Sequence, residues 1–327
     1  MGMPAKRMSR ERSASLEIGE SLNQAARVLV VSHVRPDGDA VGSLLGMGLS
    51  LLATGKTVQM VLADGVPGSF RHLPGSSLVK KKPEGESDLT IVLDASDLLR
   101  VGRAIDPDGV PGINIDHHIT NLNFARINLV EPVAVATSAI LAEHLPEWGL
   151  PITPEVASAL LTGIISDTLG FRTSNMTPKA LRLAATLMEI GPDMPELYNR
   201  ALVRRSFNAT RYWAAGLSRL ERRGRLVWTS LTLADRAAVD YPGNDDADLI
   251  NILSSIEDSD VAVIFVEQRG GKVKVSWRAA PGIDVSSIAL GFGGGGHPAA
   301  AGAEIPGAIL EVREQVLQAT QALLELA

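Results

Sequence analysis

The feature that most constrains this chain is the sequence HVRPDGD at residues 33–39, which places one imidazole and two carboxylates within a single turn-forming segment. It directly follows the apolar run at 28–31 and precedes a helical pattern. Its proline and glycine permit a tight bend, which lets Asp37 and Asp39 face the same point as His33. Imidazole and carboxylates together suit a borderline divalent ion. The alternative is an ordinary turn whose aspartate caps the next helix.

Three further segments place acidic or histidine side chains in similar positions. LTIVLD at 89–94 and INIDHH at 113–118 are typical of buried parallel strands, and GIISDT at 163–168 closes a helical stretch with another carboxylate. The carboxyl ends of the strands line one crevice in an open α/β sheet, so we expect these side chains to converge. The candidate metal ligands are His33, Asp37, Asp39, Asp94, His117 and Asp167.

The number of candidate ligands favours two ions over one. A single octahedral ion held by six protein groups has no open coordination position. Two ions that share a bridging carboxylate keep open positions. The expected centre has ions about 3.5–4 Å apart, the arrangement used for in-line displacement at phosphorus. Mn²⁺ is preferred and Mg²⁺ is second, because imidazole favours the softer ion.

The order of predicted strands and helices indicates an α/β fold in two domains. We predict a doubly wound, mainly parallel sheet domain over residues 1–190, a helical linker over 191–224, and a smaller C-terminal α/β domain over 225–327. Residues 1–15, which are rich in lysine and arginine, are predicted to be a mobile tail.

The motifs resemble those of the DHH phosphoesterases in both order and spacing. HxxPDGDAxGS begins at His33, and Asp94, the Asp116-His117-His118 triplet and Asp167-Thr168 follow. KVSWR at 274–278 with GGGGHPAAAG at 293–302 is similar to the DHH-associated domain of the branch that comprises nanoRNases and pAp phosphatases. One departure is Leu169, where many relatives have glycine.

The resemblance implies a role for each residue of the centre. His33 and Asp37 would hold one ion, Asp39, His117 and Asp167 the other, and Asp94 would bridge them as a catalytic ligand. His118 would contact the scissile phosphate and assist the leaving oxygen. Asp116 would orient the histidine pair without binding metal.

The glycine run in the C-terminal domain has its own interpretation. Backbone N–H groups of Gly294, Gly295 and Gly296 can approach an anion closely, and His297 can donate to a phosphate or a sugar oxygen. Arg278, at the end of an alternating strand, can bind a phosphate bidentately. The alternatives are a flexible linker for the glycines, a solvated surface charge for the arginine and, for the neighbouring Trp277, either a base-stacking or a core position.

Charge and composition limit the class of substrate. The net charge is −6, and no long basic stripe could neutralise many phosphates, so short single-stranded RNA or DNA and small nucleotides fit better than long polymers. The chain has no cysteine, which excludes disulfides and thiol chemistry. No apolar stretch indicates a membrane span or a signal peptide, so we expect a cytoplasmic protein with no membrane partner. A homodimer is compatible with the sequence, which does not determine the oligomeric state.

The predicted activity is metal-dependent hydrolysis of short oligonucleotides and linear dinucleotides to mononucleotides, with removal of the 3′-phosphate of pAp. Two alternatives stay open. One is an inorganic pyrophosphatase or exopolyphosphatase, which would need a more cationic second domain. The other is a regulatory module that binds nucleotides without cleaving them.

Overall fold

The computed structural model describes residues 3–106 and 109–326, and the chain forms two compact units, Met1–Arg204 and Arg205–Ala327. The division lies inside the segment predicted to be a helical linker. The last residues of that segment, Glu221–Arg223, form an edge strand of the second unit, because their backbone pairs with the strand that follows a tight turn at Gly224.

Within the described residues, the first unit is built on a five-stranded parallel sheet with helices around it. Its strands are β1 (Arg27–Val31), β2 (Thr57–Val61), β3 (Leu89–Leu93), β4 (Ile113–Asp116) and β5 (Ile127–Val130). Its helices are α1 (Met3–Gln24), α2 (Gly38–Ala53), α3 (Thr137–His144), α4 (Pro154–Asp167), α5 (Pro178–Glu189) and α6 (Met194–Tyr198), and a π-helical turn (Asn199–Val203) follows. The predicted α/β class and mainly parallel sheet are confirmed.

Strand order explains where a site can form in this unit. The order is β2-β1-β3-β4-β5, so the direction of chain progression reverses between β1 and β3. At such a reversal the connections leave on opposite faces of the sheet and open a crevice at the carboxyl ends of the two strands. The residues that directly follow β1 and β3 therefore border this crevice.

Both faces of the parallel sheet are buried, as its apolar strands predict. In β1, Val28 and Val30 pack into the main core with α2 and α4, while Leu29 and Val31 pack into a smaller core on the opposite face. The strand thereby fixes the residues that come after it.

Helices α2 and α4 pack against each other at glycine contacts. A Cβ on Gly42 would lie 2.6 Å from the carbonyl oxygen of Ala159, and a Cβ on Gly38 would overlap Ser166 Oγ. The start of α2 therefore lies beside the end of α4. This contact brings Asp39 and Asp167, which are far apart in sequence, to the same edge of the unit.

The prediction of a mobile N-terminal tail is wrong for the described part of residues 1–15. Helix α1 begins at Met3, while residues 1–2 lie outside the described residues. Ala14, Ile18 and Leu22 are buried in the main core, and their spacing of four residues forms an apolar stripe on one helix face. The density of basic residues hid this stripe.

The second unit contains a mixed sheet of six strands among the residues described, in the order β10-β11-β9-β8-β7-β6. Its strands are β6 (Glu221–Arg223), β7 (Leu226–Leu231), β8 (Val261–Gln268), β9 (Lys272–Ala279), β10 (Gly295–His297) and β11 (Ala300–Pro306). Its helices are α7 (Phe207–Leu217), α8 (Leu233–Ala238), α9 (Leu249–Leu253), α10 (Ser286–Gly291) and α11 (Ile309–Leu326). The predicted smaller C-terminal α/β domain is confirmed as a fold.

Trp277 is a core residue of this second sheet. Its side chain is fully buried, and its Nε1 donates to Thr320 Oγ1 on α11 at 3.1 Å. The alternating pattern that placed Val273 and Val275 inward places Trp277 on the same face, so it is unavailable for base stacking. None of the helices in the described ranges has both the length and the apolar character that a bilayer crossing needs.

Candidate metal centre

The candidate ligands arrive at the carboxyl edge of the parallel sheet from separate elements. His33 follows β1, Asp94 directly follows β3, and His117 directly follows β4. Helix α2 contributes Asp39 near its start, and helix α4 ends at Asp167.

Asp94 lies between the two imidazoles. Its Oδ2 is 3.5 Å from His33 Nε2, and its Oδ1 is 3.7 Å from His117 Nε2. Each histidine therefore faces a different oxygen of one carboxylate. The backbone of Asp94 has φ +57°, a left-handed conformation that is uncommon outside glycine and concentrates at functional sites.

The other carboxylates extend this arrangement outward from the two imidazoles. His33 Nε2 lies 3.9 Å from Asp37 Oδ1. His117 Nε2 lies 4.0 Å from Asp39 Oδ2 and 3.6 Å from Asp167 Oδ2. The six predicted residues thus form two groups that share Asp94.

These separations fit ligands of metal ions better than hydrogen bonds. Direct hydrogen bonds between nitrogen and oxygen have lengths of about 2.7–3.2 Å. Two donors bound to one ion at about 2.1 Å are separated by about 3.0 Å when adjacent and about 4.2 Å when opposite. The observed distances of 3.5–4.0 Å are longer than hydrogen bonds and lie between the two separations expected for donors on one ion. The mixed imidazole and carboxylate donors suit a divalent cation.

The two imidazoles also have the tautomer that a metal requires. Nδ1 of His33 is 2.9 Å from the carbonyl oxygen of Val34, and Nδ1 of His117 is 3.3 Å from that of Ala134. A carbonyl only accepts, so Nδ1 must donate, and in the neutral ring Nε2 keeps its lone pair toward the carboxylates. Burial lowers the pKa of His33, against the charge of Asp37, and so favours this neutral ring.

The carboxylates repel one another in this buried position. Burial raises the pKa of Asp94 well above its ordinary value, and the charges of Asp39, Asp37, Asp116 and Asp167 raise it further. Divalent cations at this point would favour the ionised form of each carboxylate.

Asp116 contacts the histidine pair as a hydrogen-bond acceptor. His118 Nδ1 lies 2.7 Å from Asp116 Oδ1, the backbone N–H of His117 donates to the same oxygen at 2.8 Å, and Asn121 Nδ2 donates to Oδ2 at 2.6 Å. Burial opposes ionisation of Asp116, but the charge and hydrogen bond of His118, together with Asn121 and His117, outweigh it and lower its pKa.

Asp37 has two contacts that correspond to the two interpretations of its motif. Its Oδ1 accepts from the backbone N–H groups of Asp39 and Ala40 at 3.0 Å each, so it does cap α2. The same oxygen faces His33, and the side chain is 59% exposed, the most exposed of the six. Helix capping therefore accounts for part of this motif but not for the histidine.

Sequence reasoning missed a set of donors behind the carboxylates. Thr137 and Ser138, at the start of α3, and Asn121, after the histidine pair, donate to Asp39, Asp94 or Asp116. Thr137-Ser138 before an apolar helical pattern was a detectable signal of a helix start, but it gave no indication of which carboxylate these residues contact.

The substrate-binding candidates of the second unit lie on neighbouring strands. Arg278 on β9 is opposite Ala300 on β11, and Gly295–His297 forms edge strand β10, which pairs with β11. The glycine run is therefore not a flexible linker. Gly296 has φ +143°, and a Cβ there would lie 2.5 Å from the carbonyl oxygen of Ala300, so the hairpin requires glycine.

Comparison with known proteins identifies the family of this chain. Residues 27–164 match the DHH family N-terminal domain, and residues 237–326 match the DHHA1 domain. The bifunctional oligoribonuclease and PAP phosphatase NrnA of Thermus thermophilus is 37% identical over 304 residues, covering 90% of this chain and 89% of the relative. A probable manganese-dependent inorganic pyrophosphatase of Lactococcus lactis is 29% identical over 231 residues, covering 66% and 72%.

A solved structure, that of an exopolyphosphatase-related protein from Bacteroides fragilis, matches with a TM-score of 0.85 and 26% identity, covering 96% of this chain and 98% of the other. The family match and the relatives define a hydrolase that acts on phosphoester bonds. The chain belongs to the DHH family.

Proposed function

We propose that this protein hydrolyses short oligonucleotides and linear dinucleotides to mononucleotides and removes the 3′-phosphate of pAp. The observation that carries the proposal is the pair of histidines on either side of Asp94, because such a shared carboxylate suits two cations acting on one phosphorus. The likeness to the Thermus oligoribonuclease and PAP phosphatase, which extends over both units, supports the choice of substrate.

In this proposal the cluster holds two divalent cations, with Mn²⁺ preferred over Mg²⁺. His33 and Asp37 would hold one, Asp39, His117 and Asp167 would hold the other, and Asp94 would contribute to both. Bound there, the cations would stabilise the negative charge of the phosphoryl oxygens and lower the pKa of a water near the phosphorus. The pyrophosphatase relative, whose name includes manganese, supports the choice of metal.

His118 has the contacts that a proton donor needs. Nδ1 contacts Asp116, and in this proposal Nε2 would contact a phosphoryl or leaving oxygen. The contact with Asp116 fixes the orientation of the His118 ring. We therefore assign His118 to the leaving oxygen and Asp116 to the orientation of its ring.

The second unit supplies the groups that recognise the nucleotide in this proposal. The guanidinium of Arg278 binds a phosphate, and the Gly294, Gly295, Gly296 and His297 segment contacts a phosphate or the sugar. These groups would select nucleotides over small generic esters.

The test is product release from a panel of pApA, pAp and pyrophosphate, with metal-free protein reloaded with Mn²⁺. We expect mononucleotides from pApA and inorganic phosphate from pAp. Pyrophosphate hydrolysis without action on pApA would favour a pyrophosphatase instead. Tight binding of a dinucleotide with no product from any substrate would favour a regulatory module.

Asp94→Asn is the decisive variant of the centre, because it keeps the shape of the side chain and removes its charge. We expect loss of turnover with every substrate and loss of Mn²⁺ binding. Asp88→Asn is the matched control, because Asp88 lies just before β3 whereas Asp94 lies just after it. The carboxylate of Asp88 forms an ion pair with Arg27, with an N–O distance of 2.7 Å, at the opposite end of the strand from the candidate centre. Asp94→Asn protein with wild-type metal content and activity would disprove the shared carboxylate.

The pyrophosphatase alternative has one argument against it in the second unit. Lys272, one of the cations near Arg278 in sequence, pairs with Glu304 at 2.8 Å, which reduces the positive charge offered to an inorganic anion. A homodimer and a cytoplasmic location stay predictions, which light scattering of the purified protein and cell fractionation would test.

A further inference from the structure

The first residues of α3 (Thr137–His144) contact two carboxylates of the candidate centre. The backbone N–H of Thr137 donates to Asp39 Oδ2 at 2.6 Å, and that of Ser138 donates to Asp39 Oδ1 at 2.9 Å. The Thr137 hydroxyl donates to Asp94 Oδ1 at 3.0 Å. A helix that contributes none of the six ligands therefore contacts both oxygens of one ligand and one oxygen of another.

These contacts are stronger than ordinary surface hydrogen bonds. Thr137 and Ser138 are fully buried, and Asp39 and Asp94 are nearly so. The first N–H groups of a helix have no partners within the helix, and they favour a negative charge at that end. Hydrogen bonds from such groups to a carboxylate are charge-assisted, which fixes the direction of its oxygens.

The hydroxyl of Ser43 also contacts Asp39. Ser43 Oγ on α2 donates to Asp39 Oδ1 at 3.3 Å and lies 2.9 Å from Ser138 Oγ. Ser43 is also fully buried. Asp39 is thus held from its own helix and from α3 at the same time.

Helix capping alone does not explain the Thr137 hydroxyl. Ala136, the residue before α3, has no side chain that could cap the helix, and the carboxylate of Asp39 takes that position. The hydroxyl of Thr137 makes no contribution to that cap, because it donates to Asp94 at the end of β3. Its contact is therefore useful to the carboxylate rather than to the helix.

We propose that Thr137, with Ser138 and Ser43, is a positioning residue that holds Asp39 and Asp94 in the orientation that metal binding requires. The inference rests on the proposed function, since it concerns the same centre. It assigns no contact with the substrate to these three residues.

The experiment compares Mn²⁺ binding by the variants Thr137→Val and Thr162→Val. Binding is measured from the electron paramagnetic resonance signal of the free ion. Both changes replace a fully buried threonine by a residue of the same shape, but the hydroxyl of Thr162 donates to the carbonyl oxygen of Ser158 within α4. We expect Thr137→Val to weaken Mn²⁺ binding by about 10–100-fold, as loss of a group that orients a ligand does elsewhere. Thr162→Val should bind as the wild type does, and Thr137→Ser should restore the affinity.

Folded Thr137→Val protein that binds Mn²⁺ as tightly as Thr162→Val would overturn the inference. If Thr137→Val does not fold, Ser43→Ala and Ser50→Ala decide instead. Both serines are buried in α2, but the Ser50 hydroxyl donates to the carbonyl oxygen of Pro151. Weaker binding in Ser43→Ala alone would support the positioning role, and equal binding would refute it.

Failure of the proposed function would be visible separately. Wild-type protein that binds Mn²⁺ but hydrolyses neither pApA nor pAp would refute the proposed substrates and leave the positioning role intact. Wild-type protein that binds no divalent cation would refute both.

Discussion

Gly42→Ala should move α2 away from α4 and disturb the metal centre without changing any ligand. The added Cβ would lie 2.6 Å from the carbonyl oxygen of Ala159, 2.9 Å from Gly163 N and 3.0 Å from Gly163 Cα. All three are backbone atoms, which cannot rotate out of the way. An ordinary contact needs about 3.4 Å, so the two helices must separate by several tenths of an ångström.

The expected loss of stability follows from two opposing terms. Forcing an additional methyl group into a packed interior costs about 1–3 kcal/mol. Alanine regains about 1 kcal/mol over glycine through its higher helix propensity. The two terms leave a net decrease of about 0–2 kcal/mol in the free energy of unfolding, and we expect a value in the upper half of this range because the contact is with backbone.

The measurements are urea denaturation and Mn²⁺ titration of Gly42→Ala beside Gly291→Ala. Gly291 is the last residue of α10, and a Cβ there would contact nothing within 4 Å, so this control isolates helix propensity. Gly291→Ala should be neutral or stabilising. We expect Gly42→Ala also to bind Mn²⁺ more weakly, because Asp39 and Asp167 are carried by the separating helices. Unchanged stability and unchanged metal binding in Gly42→Ala would refute the close helix contact.

Two further predictions concern pH and substrate choice. Burial favours the neutral ring of His144, but hydrogen bonds and charges from Glu131 and Glu147 outweigh it and raise the pKa of His144. The stability that these contacts contribute is fully present below the ordinary histidine pKa of about 6.5, and it is lost as the pH rises through the raised pKa of His144 in the folded protein. His144→Gln should therefore lower Tm more at pH 5.5 than at pH 9. An equal decrease in Tm at both pH values would contradict this. Arg278→Ala and His297→Ala should still bind Mn²⁺ and hydrolyse bis-p-nitrophenyl phosphate. Each should lower kcat/KM on pApA, by an amount that corresponds to a loss of about 1.5–3 kcal/mol of transition-state stabilisation. Equal losses on both substrates would contradict their assigned role in nucleotide recognition.

The convergence of the candidate ligands was predictable from sequence because it follows from sheet topology. An apolar run that ends in a carboxylate indicates a buried strand, and the carboxyl ends of parallel strands meet at one edge. This argument brings His33 and Asp94 together although 60 residues separate them. The short motif around His33 adds a local constraint, since its glycine and proline determine how the chain turns.

Features that depend on packing rather than on residue type could not be predicted. The donors to Asp39 include backbone N–H groups, which every residue except proline possesses, so no letter of the sequence identifies them. Helix α1 was missed because its first residues are rich in lysine and arginine, and burial of Ile18 depends on the surface against which the helix packs. The alternating pattern of β9 placed Trp277 on the same face as Val273 and Val275, but only its full burial in the structure decided between a core position and base stacking.

The reversal of strand order between β1 and β3 has a consequence for how this protein can change. The candidate ligands that follow β1, β3 and β4 lie at the carboxyl ends of these strands, whereas the amino ends carry ordinary stabilising contacts such as the ion pair between Arg27 and Asp88. Substitutions at the amino ends can therefore alter thermal tolerance while the chemistry of the opposite edge stays constant. Adaptation to temperature and adaptation to substrate can proceed at opposite ends of the same strands.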